Sequence, residues 1–319
     1  MNRKVYVTRM LQTSVMKALG NICEYDVNQE ERLATRDELV NAVKNYAAVI
    51  TMLNDPIDAD LINQAGPDLK LIANYGVGFN NIDVQAAKAK GIYVTNTPDV
   101  LTDATADTAF TLMFACARRV IECDNIVRTG SFLWAPKYML GYDITGRTVG
   151  IIGAGRIGTN FGIKAARGFS MKVLYYSRSS SLHLESVGAQ RVGLEELLER
   201  SDFVSLHVPL TDLTRHMIGA NELAKMKPDA ILINTSRGPV IDEKALADAL
   251  ARNVIAGAGL DVYENEPEVE PALKTLQNVV LLPHIGTATF GTRKEMGFMV
   301  IRNIEAVFAG KEPPQMVRV

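Results

Sequence analysis

Residues 148–158, Thr-Val-Gly-Ile-Ile-Gly-Ala-Gly-Arg-Ile-Gly, carry an apolar run into three closely spaced glycines, Gly153, Gly155 and Gly158. Glycines at that spacing also occur in ordinary turns, so the flanks decide their meaning. Val149, Ile151 and Ile152 have the apolar continuity of a buried strand, and Phe161, Ile163, Ala165, Ala166 and Phe169 then recur as on a helix packed against a sheet. In that context Gly153 permits a tight turn and Gly155 lets the backbone approach a pyrophosphate. Gly158 lets helix and strand pack closely, and the N–H groups at the helix start favour the anion. The stretch predicts a dinucleotide-binding strand, turn and helix.

The residue that chooses between dinucleotides is expected at the end of the next strand, Lys172 to Tyr176, about twenty positions on, where an acid would bond the adenosine ribose hydroxyls. Ser177 stands there, followed by Arg178, Ser179 and Ser180. A carboxylate would repel a ribose phosphate, whereas an arginine with neighbouring hydroxyls binds one. The expectation is therefore NADP in preference to NAD, set against the plainer reading of a solvated Ser/Arg loop.

Before the glycine loop, strands are expected at Val5–Thr8, Cys23–Val27, Ala47–Thr51, Leu71–Tyr75 and Ile92–Asn96. Thr35-Arg-Asp-Glu38 resembles a capping box, and Asp83–Lys90 is a further helix ending at Gly91. Ala104–Arg119 is a long apolar helix that crosses into a second domain. There the alternation restarts, with strands at Phe203–Val208, Ala230–Asn234, Ala258–Val262 and Val279–Pro283 and helices at Leu194–Arg200 and Asp242–Arg252. The tail from Gly291 to Gly310 is helical and is expected to pack back on the first domain. The fold class is thus α/β, with two doubly wound parallel-sheet domains. A Rossmann coenzyme domain, residues 99–286, is inserted into a flavodoxin-like substrate domain made of residues 1–98 and 287–319.

With 34 basic and 36 acidic residues among 319, the net charge of −2 gives no argument for nucleic acid or an acidic membrane surface. No apolar run approaches membrane-spanning length, and the N-terminus, Met1-Asn2-Arg3-Lys4, leads into a strand rather than reading as a signal peptide. Cys23, Cys116 and Cys123 lack metal-ligand spacing and disulfide density. Reduced thiols in a cytoplasmic protein without a metal site are expected.

Ligands of a doubly wound sheet collect beyond the carboxyl ends of its strands, which singles out three residues there. Arg237 follows Ile-Leu-Ile-Asn234, Glu266 lies in the loop after Leu260-Asp261-Val262, and His284 follows Val-Leu-Leu-Pro283. An arginine fork suits a carboxylate or a polarised carbonyl oxygen, and a histidine exchanges a proton near neutral pH. A carboxylate beside that histidine fixes its tautomer and favours its charged form. Singly, each has an ordinary structural role open to it. Together they match what reduction of a 2-oxo acid needs. His183, His207 and His216 keep the structural reading.

With these residues in view, the sequence resembles the D-isomer-specific 2-hydroxyacid dehydrogenase family, and within it the glyoxylate/hydroxypyruvate reductase branch. The resemblance runs through Gly76-Val-Gly78 with Asn81-Ile-Asp83, Gly150 to Gly158, Val208-Pro-Leu-Thr211, Asn234-Thr-Ser-Arg-Gly238, Gly257-Ala-Gly-Leu-Asp-Val262 with Glu266-Pro267, and Pro283-His-Ile-Gly286. It implies that Arg237 grips the substrate carboxylate or carbonyl oxygen, that His284 is the acid/base, and that Glu266 is its partner. Val77 and Gly78 would offer N–H groups to the substrate carboxylate. Arg156 and Ile157 would lie at the pyrophosphate, with Val208, Pro209 and Thr214 towards the adenosine. Thr108, Thr235, Ser236, Asp261 and Gly286 would surround the nicotinamide, Asp261 bonding its carboxamide.

The reaction the resemblance implies is hydride transfer from NADPH or NADH to a small 2-oxo acid, glyoxylate or hydroxypyruvate. A larger 2-oxo acid, such as 2-ketogluconate or a branched or aromatic one, is the alternative, with Leu53, Tyr75 and Trp134 bordering the pocket. A dinucleotide-sensing protein without catalysis is disfavoured because all three chemical residues are present. A homodimer is expected through the helix from Ala104 and the segment Cys123–Tyr142.

Overall fold

The computed structural model describes residues 3–318; Met1, Asn2 and Val319, on which parts of the terminal expectations fall, lie outside the described residues. The chain divides into two compact units. One runs to Leu101 and resumes at Thr287; the other is Thr102–Gly286.

The first unit alternates β1 (Val5–Val7), α1 (Thr13–Gly20), β2 (Tyr25–Val27), α2 (Arg36–Asn45), β3 (Ala48–Thr51), α3 (Ala59–Asn63), β4 (Leu71–Asn74), α4 (Val84–Ala89) and β5 (Tyr93–Thr95). All pairings are parallel, in the order β2-β1-β3-β4-β5. Thr35 closes the expected capping box with Glu38, satisfying two N–H groups that the helix start would otherwise leave bare.

In the second unit α5 (Thr102–Ala117) and α6 (Val120–Arg128) precede β6 (Thr148–Ile152), α7 (Arg156–Phe169), β7 (Lys172–Tyr176), α8 (Leu182–Glu185), β8 (Gln190–Arg191), α9 (Leu194–Arg200) and β9 (Phe203–Leu206). Then come α10 (Ala220–Lys225), β10 (Ile231–Asn234), α11 (Glu243–Ala251), β11 (Gly257–Leu260) and β12 (Val279–Leu281). The seven strands form one parallel sheet, β12-β11-β10-β9-β6-β7-β8. Its inner strands are largely apolar because helices cover both faces: Ile152, Leu206, Leu232 and Leu260 join one buried cluster with α9–α11, while Val149, Ile151, Ile231 and Ile233 join another with α5 and α7; the edge strand β8 is polar and exposed. Truncating one of these to alanine would cost about 2–5 kcal/mol.

The last helix, α12 (Phe290–Phe308), returns to the first unit, where Gly297 lies so close to α1 that a Cβ would sit 2.6 Å from the Val15 side chain. Several strands end one or two residues before the sequence suggests. β9 stops at Leu206 rather than Val208, β11 at Leu260 rather than Val262, and β12 at Leu281 rather than Pro283. The first residue beyond each strand still donates to its neighbour, His207 N to Ile152, Asp261 N to Asn234 and Leu282 N to Leu260, and the backbone then departs into the loops that bear the functional side chains. α1, α3, α6, α8, α10 and β8 were not anticipated. α6 buries no residue, and its Val120, Ile121 and Val127 stand exposed.

Candidate active site

The order of the large sheet reverses at β6, with β9 on one side and β7 on the other, which places the glycine loop at the switch point. Gly153 has φ +104°, and a Cβ there would lie 2.6 Å from the His207 carbonyl oxygen. At Gly158 a Cβ would come 2.0 Å from the Gly153 carbonyl oxygen, so α7 can press against the loop only as glycine. At Gly155 a Cβ would meet nothing within 4 Å. That open space adjoins the start of α7, which has no side-chain cap and no acid in its first turn. A fourteen-residue helix left this way suits a pyrophosphate through bare N–H groups and its positive dipole end. Arg156 is exposed beside it and Ile157 is partly buried.

After β7, Ser177 is partly buried and Arg178 and Ser179 are exposed. Arg191 on β8, a residue the sequence did not single out, folds back so that Nη2 donates to the carbonyls of Ser177 (2.9 Å) and Arg178 (2.8 Å). Two guanidinium groups thus belong to this turn. Across the switch point, Thr214 Oγ1 donates to the Pro209 carbonyl at 2.6 Å and accepts the Thr211 N–H, closing the turn that begins at Val208.

Beyond β10, the Asn234 amide orders the next turn: its oxygen accepts from Ser236 N and Oγ, and its nitrogen donates to the Arg237 carbonyl. Arg237 Nη1 donates to the Ser236 carbonyl at 2.6 Å. Burial pushes this guanidinium down from its usual range, and the Glu266 charge opposes that shift. Thr235 Oγ1 is buried without a hydrogen-bond partner among the described residues. Such a hydroxyl costs about 1–3 kcal/mol unless a bound group accepts from or donates to it, as a nicotinamide amide can. Thr108 Oγ1 donates within its own helix to Ala104.

Glu266 Oε2 lies 2.8 Å from His284 Nδ1, and Glu266 Oε1 accepts the Tyr263 N–H at 3.0 Å. Burial by itself would push the Glu266 carboxyl up. The hydrogen bond and charge of His284, the Tyr263 N–H and the Arg237 charge outweigh it and hold the group below the usual carboxylate range. Glu266 and His284 thus meet across eighteen positions of chain, and the Arg237 charge acts on the same carboxylate. His284 has φ 55°, a left-handed conformation unusual for a side-chain-bearing residue. Asp261 sustains it: Oδ1 accepts the Ile285 N–H and Oδ2 the Gly286 N–H, each at 2.7 Å. Burial pushes the Asp261 carboxyl up against those two bonds and the His284 charge.

In the first unit, Asn96 Nδ2 donates to the Val77 carbonyl at 2.8 Å and Asn74 Nδ2 to the Gly78 carbonyl at 2.7 Å. Neither the Val77 nor the Gly78 N–H has a protein acceptor among the described residues. Leu53 lies on Gly76, where a Cβ would be 2.3 Å from its Cδ2. Tyr75 is buried and spends its hydroxyl on the Arg293 carbonyl at 2.5 Å, so it can wall a pocket but its proton is taken. Trp134 is 79% exposed in the segment after α6.

Residues 110–286 match the model of the D-isomer specific 2-hydroxyacid dehydrogenase, NAD binding domain. The chain is 49% identical to a glyoxylate reductase of Thermococcus kodakarensis over 99% of its own length and 96% of that protein. This chain belongs to the D-isomer specific 2-hydroxyacid dehydrogenase family. Among solved structures, this dehydrogenase is similar to a glyoxylate reductase from Paecilomyes thermophila, with TM-score 0.88, 36% identity and coverage of 99% and 98% of the two chains. It is also similar to an NADPH-dependent glyoxylate/hydroxypyruvate reductase from Sinorhizobium meliloti in complex with NADP and malonate, with TM-score 0.84, 33% identity and coverage of 98% and 96%. The dehydrogenase uses a nicotinamide dinucleotide, and the glycine loop, the start of α7 and the orphaned Thr235 hydroxyl fit one. No helix is long and apolar enough to cross a membrane among the described residues.

Proposed function

We propose that this dehydrogenase reduces a small 2-oxo acid, glyoxylate or hydroxypyruvate in preference to larger ones, to the 2-hydroxy acid. The observation that carries this reading is the 2.8 Å contact of Glu266 with His284 Nδ1, with the Arg237 charge felt at the same carboxylate. When bound, the reduced nicotinamide supplies the hydride. Arg237 binds the carbonyl oxygen or carboxylate of the substrate, and the Val77 and Gly78 N–H groups are assigned to the carboxylate. His284, tethered by Nδ1, presents Nε2 to the carbonyl oxygen and delivers a proton there, while the Glu266 carboxylate orients the ring. Asp261 keeps the turn after His284 in place and has lone pairs left for the carboxamide.

Arg178 and Arg191 support NADPH over NADH, since both belong to the turn where an acid would otherwise select the ribose hydroxyls. The decisive experiment is a 2-oxo acid panel run with each coenzyme. Highest kcat/KM on glyoxylate or hydroxypyruvate with NADPH is expected; a bulky 2-oxo acid in first place would move the assignment to the alternative.

A homodimer also belongs to this reading. Val127, Phe132, Leu133, Trp134 and Leu140 stand exposed in α6 and the segment after it, and large apolar side chains left in solvent suit an interface. A groove of about 590 Å³ walled by Phe110, Phe114 and Phe169 can receive such side chains from a second copy. A monomer mass independent of concentration would remove this part. The three cysteines are free thiols, consistent with a cytoplasmic setting.

A further inference from the structure

Glu243, the first residue of α11, is buried although it is a glutamate at a helix start, where a solvated carboxylate would already interact well with the dipole. The helix does not need it as a cap, because Asp242 accepts the Ala245 N–H at 3.0 Å and fills that role. Glu243 points instead at the loop that bears Glu266: its Oε1 accepts the Glu264 N–H at 2.5 Å. Burial pushes the Glu243 carboxyl up, and the N–H groups of Glu264 and Glu270 oppose that by favouring the ionised form.

The peptide held by Glu243 is also pressed from the Arg237 side. A Cβ on Gly238 would lie 1.8 Å from the Tyr263 carbonyl carbon and 2.4 Å from Glu264 N. The Tyr263–Glu264 peptide is therefore gripped between the residue after Arg237 and the Glu243 carboxylate. From that peptide the chain reaches Glu266, whose Oε1 returns to Tyr263 N and whose Oε2 meets His284. We infer that Glu243 is a positioning residue: its carboxylate fixes the Glu264 peptide so that Glu266 is delivered to His284 Nδ1 at hydrogen-bond distance. It touches neither substrate nor coenzyme in this scheme, and acts through Glu266. The inference rests on the assignment of Glu266 and His284 as the proton-delivering pair.

The test is a double-mutant cycle on the full-length enzyme with glyoxylate and NADPH. Glu243→Ala is expected to lower kcat about tenfold with the dissociation constant for NADPH unchanged, and to lower it less than about twofold when Glu266 is already Gln. Glu243→Gln, which keeps an acceptor oxygen and the shape, is expected to stay within about threefold of wild type, because a neutral acceptor still holds the N–H. Glu243→Asp withdraws the acceptor by one methylene and repeats the loss and the coupling even if the alanine variant does not fold. Wild-type kcat in the Ala or Asp variant, or an equal loss in both backgrounds, overturns the role. Should Glu266→Gln alone keep wild-type turnover, the proton-delivering pair falls first and the role of Glu243 with it.

Discussion

Glu266 Oε2 meets His284 at Nδ1, 2.8 Å away, so the imidazole is held by one nitrogen and leaves Nε2 as the edge that can face a reacting oxygen. The tautomer follows from that contact: a carboxylate accepting from Nδ1–H leaves Nε2 to carry or release the transferred proton. His284→Ala is therefore expected to lower kcat by about 10²–10⁴-fold, the usual worth of a positioned general acid. NADPH affinity, read by fluorescence titration, should stay near wild type. Turnover preserved within a few-fold would sink the proton-transfer role.

Arg237 is a part-buried guanidinium, pushed down by desolvation with the Glu266 charge opposing that shift. A lysine there keeps a charge but loses the planar fork. Arg237→Lys is expected to raise KM for the 2-oxo acid and lower kcat together, with a combined loss in kcat/KM of roughly 10²-fold or more, and Arg237→Ala should be worse. Steady-state kinetics over the substrate panel reads this directly. A lysine variant with unaltered KM would mean that the fork does not hold substrate.

Arg191 reaches back to the Ser177 and Arg178 carbonyls, which both anchors the turn and brings a second positive charge to it. A charge-assisted bond to a ribose phosphate is worth about 1.5–3 kcal/mol. Replacing Arg191 with Ala should accordingly cut kcat/KM with NADPH by roughly tenfold to a hundredfold while NADH changes little. Equal losses with both coenzymes would show that the arginine serves only the turn.

His207 gives a pH prediction. Its ring packs against Phe161, centroid to centroid 5.3 Å, lies 2.9 Å from Ser205 Oγ, and is pushed by burial down to about 3. Above the ordinary histidine value both folded and unfolded chains hold it neutral, and it contributes nothing to pH dependence. As pH falls below about 6.5 the unfolded chain takes up a proton that the folded chain refuses until about 3, so stability is lost through that window. The slope approaches about 1.4 kcal/mol per pH unit. Urea denaturation at pH 7 and pH 5 should show this loss in wild type and a smaller one in His207→Gln; identical differences in the two proteins would contradict it.

What could be read from the sequence was what local pattern controls. Gly153 and Gly158 with their apolar flanks specify strand, turn and helix because the positive φ at Gly153 and the approach of Gly158 to the Gly153 carbonyl are both met within a few residues. The alternation of strands and helices likewise determined two parallel-sheet layers, since a strand covered on both faces must be continuously apolar. The positions of Arg237, Glu266 and His284 just beyond strand ends were legible for the same reason.

The tertiary structure alone decided which groups touch. Arg191 stands on a two-residue edge strand too short to show a period, and only its parallel pairing opposite Tyr175 brings its guanidinium to the Ser177 turn. Glu243 looks in sequence like any acid in a first helical turn; its burial and its hold on Glu264 arise because Gly238 lets two distant loops close to contact. A hydrogen bond depends on tenths of an ångström between segments that are far apart in the chain, and that precision is set by how the helices and the sheet pack, not by any spacing along the polypeptide.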